Sequence, residues 1–179
     1  MRSGQVLETP RLLLDLYSED DIAELVPLIG AREVAATTLR IAHPYTEQHA
    51  REFIAATRQG TEMRRSLRRR SDGKLIGGVG LNINERDQHA ELGYWIGVPY
   101  WRQGYATEAA HAVLRYGFEE LHLNRIFAAH FSNNPASARV LVKLGMRREG
   151  CQREHVRKWG QFFDSELYGI LRQEWRASE

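Results

Sequence analysis

With 179 residues, 42% hydrophobic and 27% charged, the chain is long enough to bury one core and too short to divide comfortably, so one domain over residues 1–179 is expected. A formal net charge of +2 excludes the large basic excess of a nucleic-acid-coating protein, and a single cysteine, Cys151, excludes an internal disulfide and fits a reducing compartment. Arg11, Asp15, Glu19, Asp20 and Asp21 interrupt the early apolar positions and no later apolar run approaches about 18 residues, so neither a signal peptide nor a membrane span is expected and the protein reads as soluble and cytoplasmic.

Leu12 to Leu16 reads as a first strand, after which Ser18, Glu19, Asp20 and Asp21 supply a cap and an acidic first turn for a helix carrying Ile22, Leu25, Val26 and Leu28. Residues 35–45 have no clear period and are expected to be loop or short helix. A second helix begins near Thr46, with Ala50, Phe53, Ile54 and Thr57 on one side. From Glu62 to Ile96 the pattern is that of strands: one near residues 64–70, a turn at Ser71-Asp72-Gly73, a second at 74–82, a polar turn at 84–88 and a third at 89–97, making an antiparallel meander. The third helix starts after Gly104, since Ala106, Ala109, Ala110, Val113, Leu114, Gly117, Phe118 and Leu121 recur at three- and four-residue spacing. A buried-type strand at 125–130, a helix at 135–144 stopped by Gly145, and two strands near 146–157 and 162–171 joined at Trp159-Gly160 complete the chain. Strands and helices in this order predict an α+β class with a mixed sheet covered by helices.

The segment Trp101-Arg102-Gln103-Gly104-Tyr105-Ala106-Thr107 carries the clearest chemistry. Gly104 lets the backbone turn and approach a ligand, and the amides of Tyr105 to Thr107 open a helix with no carbonyl to bond, an arrangement suited to an anion. A strand-to-helix turn with no ligand has the same local signature. Gly77-Gly78-Val79-Gly80 lies within a strand-like run and opens no helix, so nucleotide triphosphatases and dinucleotide folds are not indicated. The seven histidines show no ligand spacing, and no metal is expected. The run Arg64 to Arg70 alternates poorly and reads as an edge strand whose charges discourage edge-to-edge pairing. Tyr94, Trp95, Tyr100 and Trp101 flank the cradle and read equally as core or as an acceptor pocket.

Several motifs in order extend this picture: Leu7-Glu8-Thr9-Pro10-Arg11-Leu12, Leu75-Ile76-Gly77, Glu91 to Ile96, Tyr100 to Ala109, Asn134 to Gly145, Glu149-Gly150 with Arg153-Glu154, and Asp164 to Leu171. In these the chain resembles the GNAT superfamily of acetyl-CoA-dependent N-acetyltransferases, and within it the RimJ/RimL-like protein N-terminal acetyltransferases. The resemblance implies a GNAT-like, mostly antiparallel central sheet with helices on both faces and a splayed strand pair that admits the pantetheine arm. It implies acetyl-CoA as co-substrate, held by Trp101, Arg102, Gln103, Gly104, Tyr105, Ala106, Thr107, Asn134 and Ser137. It further implies a backbone N–H near Ile96 or Gly97 as oxyanion donor, and Ser137 as partner of the leaving sulfur. Where many relatives carry a tyrosine to protonate that sulfur, this chain has Leu141, with Tyr168 and water as substitutes.

Glu91, at the start of the strand that leads into the cradle, is the candidate base, with a structural or surface-paired carboxylate as the alternative reading. The expected acceptor is a protein N-terminal α-amine, a ribosomal protein among the partners implied; a small amine such as a polyamine, amino acid or aminoglycoside remains an alternative. So does a non-catalytic acyl-CoA-binding or ribosome-associated module using the arginine run. The terminal strands offer a surface on which a homodimer would form by pairing or packing.

Overall fold

In the computed structural model, which describes residues 6–57 and 62–175, eight strands form one sheet. They are β1 (Leu7–Glu8), β2 (Leu12–Asp15), β3 (Glu62–Arg69), β4 (Leu75–Asn84), β5 (His89–Ile96), β6 (Arg125–Phe131), β7 (Arg147–Lys158) and β8 (Gln161–Leu171), in the order β1-β2-β3-β4-β5-β6-β8-β7. Every neighbouring pair is antiparallel except β5 and β6. The helices are α1 (Ile22–Ile29), α2 (Arg32–Ala36), α3 (Glu47–Thr57), α4 (Tyr105–Glu119) and α5 (Pro135–Lys143). Among the described residues no helix is long and apolar enough to cross a membrane.

The apolar periodicity of α4 has its expected consequence. Ala109, Ala110, Val113, Leu114 and Phe118 are buried against Leu81, Leu92 and Ile126 of the sheet, with Leu141 and Leu144 of the α5 region in the same cluster. The opposite face is covered by α1 and α3, where Ile22, Leu25, Ile29, Ala50 and Ile54 pack with Tyr17 and Leu75. Helices therefore cover both faces, as expected. Gly78 is needed for close approach on this second face: a Cβ there would stand 2.0 Å from the Tyr17 hydroxyl and 2.5 Å from the Trp95 indole nitrogen.

The edge-strand reading of the arginine run is corrected. β3 lies between β2 and β4, and the short strand β1, which has no period to betray it, stands at the edge instead. The arginines are used within the fold. Arg68 pairs with Asp21, which is almost fully buried, and reaches Glu24 at 3.7 Å. Arg64 pairs with Glu62, Arg69 with Asp72, and Arg70 lies 3.6 Å from Glu8, while Arg65 is buried. Most of these charges are thus engaged with acids of the fold instead of forming an unpaired basic stripe.

Candidate functional site

β5 and β6 run parallel, and their pairing stops after three residues: His89 with Arg125, Ala90 with Ile126, Glu91 with Phe127. Beyond Glu91 the two strands diverge, while β6 stays paired to β8 as far as Phe131. The edges of Leu92–Ile96 and 128–131 thus face each other across an open fork. Ladder geometry decides which amides face it. Gly97 N–H donates to Ile76 O at 2.9 Å, so the alternation of an antiparallel pair turns the Ile96 amide the other way, into the fork. Of the two oxyanion donors expected, Gly97 is consumed by the sheet.

At the open end of the fork the chain makes a 3₁₀ turn at Val98–Tyr100 and then two left-handed residues, Arg102 at φ 61° and Gly104 at φ 83°. Gly104 is the N-cap of α4 and, having no side chain, caps nothing. The first intrahelical bond runs from Glu108 N–H to Gly104 O at 3.0 Å, so the amides of Tyr105, Ala106 and Thr107 precede it and project from the helix start. This concavity of N–H groups is a nest for an anion. Trp101 donates its indole N–H to Ile96 O at 2.6 Å and Gln103 donates its side-chain amide to Pro99 O at 3.1 Å. Those two side chains brace the loop. Trp101, Arg102, Gly104, Tyr105, Ala106 and Thr107 border the cleft, of about 1650 Å³, and Gln103 does not.

The cradle has supports that its own sequence does not reveal. Glu108, in the first turn of α4, accepts from Thr9 Oγ1 at 2.6 Å, from Arg11 N–H at 2.9 Å and from Arg11 Nε at 2.6 Å. Arg11 also donates through Nη1 to Gln103 O at 3.0 Å and lies 4.7 Å over the Tyr105 ring. A carboxylate 97 residues along the chain from its arginine leaves no local signal, and Thr9 and Arg11 were legible only as part of a shared motif. Burial pushes the Glu108 carboxyl up, but the bonds from Thr9 and Arg11 outweigh it and hold the group below its ordinary range. A depressed folded value stabilises the protein above the unfolded value and loses that stabilisation as pH falls through the folded one. Glu108→Ala is expected to cost about 1–3 kcal/mol and to weaken CoA binding. Thermal melts of wild type and variant should differ at pH 7, with the gap narrowing as pH falls below the ordinary glutamate value and through the depressed folded one.

Side chains alternate along β5, so Glu91 and Trp95 face the α1/α3 side while Leu92 and Tyr94 face the α4/α5 side. Glu91, at the last paired position before the fork, is half-buried at the cleft, with Arg40 Nη2 3.6 Å from its Oε2. On the other face Ser137 Oγ and Tyr94 Oη lie 2.7 Å apart. Burial pushes the Tyr94 phenol up to about 12, and the Ser137 bond pulls the other way, so Tyr94 stays a neutral hydroxyl near pH 7. Asn134 caps α5, its Oδ1 accepting from Ser137 N–H at 3.2 Å, which fixes Ser137 in the first turn. Leu141 is almost fully buried in the core. The fork thus separates a carboxylate on one face from a hydroxyl pair on the other, with the anion nest at its open end.

The Acetyltransferase (GNAT) domain model matches residues 11–147. The uncharacterized N-acetyltransferase YoaA of Bacillus subtilis is 32% identical over 171 residues, covering 93% of this chain and 97% of that protein. Among solved structures, a GNAT-family acetyltransferase from Bacillus anthracis superposes with a TM-score of 0.84 at 27% identity, covering 94% of this chain and 99% of the other. A Vibrio cholerae structure, provisionally described as a ribosomal-protein-serine acetyltransferase, superposes with a TM-score of 0.81 at 28% identity over 96% of this chain and 99% of its own.

Proposed function

Since the chain belongs to the GNAT acetyltransferases and is an acetyl-CoA-dependent N-acetyltransferase of that type, we propose that its acceptor is a protein N-terminal α-amine, placing it in the RimJ/RimL-like branch as one cytoplasmic acetyltransferase domain. The observation that carries this reading is the acceptor side of the cleft. Two of its carboxylates are matched, Glu91 by Arg40 at 3.6 Å and Glu62 by Arg64, and a third, Glu52, accepts from the Gln48 amide. A wall whose acids are largely engaged suits a peptide, with its alternating polar groups and single terminal cation, better than a polyamine, which needs a run of unopposed acids. The Vibrio cholerae protein described as acting on a ribosomal protein lends support, as does the Bacillus subtilis protein YdaF, provisionally named a ribosomal N-acetyltransferase and 33% identical over 109 residues.

The residues present fit acetyl-CoA. The amides of Tyr105, Ala106 and Thr107 hold its diphosphate, with Arg102 nearby, and Asn134 and Ser137 border the arm's path. When bound, it supplies an acetyl thioester. An α-amine, with a pKa of about 7.7–8.0 against about 10.4 for lysine, needs little help to become neutral. Glu91, acting through water, takes the proton that the amine sheds as the new C–N bond forms. Ile96 N–H donates to the carbonyl oxygen as negative charge grows there. Ser137, backed by Tyr94, donates to the departing sulfur, doing what Leu141 cannot.

The test is to incubate the protein with acetyl-CoA and a pool of N-terminal peptides and small amines, reading thiol release and product masses. Acetylated peptide α-amines are the expected products. Acetylation confined to polyamines or aminoglycosides would sink the acceptor assignment, and tight acetyl-CoA binding with no turnover on any acceptor would point to a non-catalytic module.

A further inference from the structure

His130 lies on β6 three residues beyond the last one paired with β5, where the strand edge borders the fork. The parallel register joins residues 36 apart in number, 91 with 127, and carried up the fork it sets Tyr94 across from His130. Alternation puts both side chains on the α5 face, since His130 shares a side of β6 with Ile126 and Ala128 of the core. One wall of the fork is therefore Tyr94 with Ser137, and the other is His130 with its ring 5.5 Å from that of Tyr168. His130 is only 8% exposed and lines the cleft.

Its two ring nitrogens are in different circumstances. Nδ1 lies 2.8 Å from Phe131 O. A carbonyl oxygen only accepts, so Nδ1 carries the proton and the neutral ring presents a bare lone pair at Nε2. Nε2 is buried and has no hydrogen-bond partner among the described residues. Buried polar atoms in folded proteins are nearly always partnered, so an acceptor left without a donor beside a ligand slot marks where the ligand brings one.

We propose that His130 Nε2 accepts a hydrogen bond from an amide N–H of the pantetheine arm, making His130 a cofactor-binding residue that fixes how the arm lies in the fork. This rests on the assignment of the fork as the cofactor slot. With the diphosphate at the cradle and the sulfur beside Ser137, whose partner Tyr94 sits across from His130, the arm's amide nearest the sulfur, two carbons along, comes to the level of His130, about 10 Å above the closed end of the fork.

The experiment uses the full chain with ¹⁵N-labelled histidine, the His130 signals being identified by their loss in H130Q. CoA is compared with adenosine 3′,5′-bisphosphate, which keeps the nucleotide end and lacks the arm. The Nε2 resonance is expected to move with CoA and not with the bisphosphate. By calorimetry, H130L should bind CoA at least tenfold more weakly, about 1.4 kcal/mol, with its affinity for the bisphosphate unchanged, and H130Q, whose carbonyl restores an acceptor, should recover part of the loss. An Nε2 resonance indifferent to CoA, or equal losses for both ligands in H130L, would overturn the proposal. A wild-type protein that binds neither ligand would instead overturn the slot itself.

Discussion

Gly104→Asp is expected to abolish CoA binding, with the dissociation constant rising at least a hundredfold. Two effects combine. At φ 83° any L side chain is strained, by roughly 1–2 kcal/mol, and the loop would relax by moving the amides that follow. The new carboxylate also stands where the nest is built to receive an anion. A Cβ at this position would lie 3.4 Å from Arg11 Nη2, so the aspartate would draw that guanidinium away from Gln103 O. Gly104→Ala separates the two effects: it imposes the backbone cost without the charge, and a loss near tenfold is expected from it. Calorimetry with CoA on both variants decides the matter. Wild-type affinity in the aspartate variant would remove the cradle from the mechanism.

Glu91→Gln is expected to lower kcat/KM by about 10²–10³ while leaving the CoA dissociation constant within twofold. Glutamine keeps the size of the side chain and its place at the closed end of the fork but cannot take a proton. The nearest cation, Arg40, is exposed, so losing its pairing with Glu91 at 3.6 Å should do little to stability. Steady-state kinetics on a peptide with a free α-amine, with a thermal melt as control, would check both parts. Full activity in the glutamine variant would leave the enzyme class intact and transfer the base role elsewhere.

Much of the scaffold was legible because its signals are local. The apolar stripe of α4, the Gly104 helix start, the meander of β3, β4 and β5 and the turn at Trp159-Gly160 are each written within a dozen residues, and propensity, period and turn chemistry act over that range. Leu141 likewise showed from its type alone that no hydroxyl stands there, and its burial agrees. Shared motifs carried the expectation of a forked strand pair, which the three-residue pairing of β5 with β6 realises.

What stayed hidden depends on partners distant in the chain. The placement of β3 inside the sheet follows from β1 and β2 folding back to cover its outer edge, and Arg68 then finds Asp21 47 residues away. The clamp of Thr9 and Arg11 on Glu108, the meeting of Tyr94 with Ser137, and the orphaned nitrogen of His130 arise in the same way. Residue type and spacing suffice for the long helices and strands, for a helix start with free amides after Gly104, and for the lack of a hydroxyl at Leu141. Which amide of Ile96 and Gly97 faces the fork, which faces Glu91 and Ser137 occupy, and which polar groups remain unpartnered follow from the assembled sheet, because hydrogen-bond satisfaction is settled only once every strand has its neighbour.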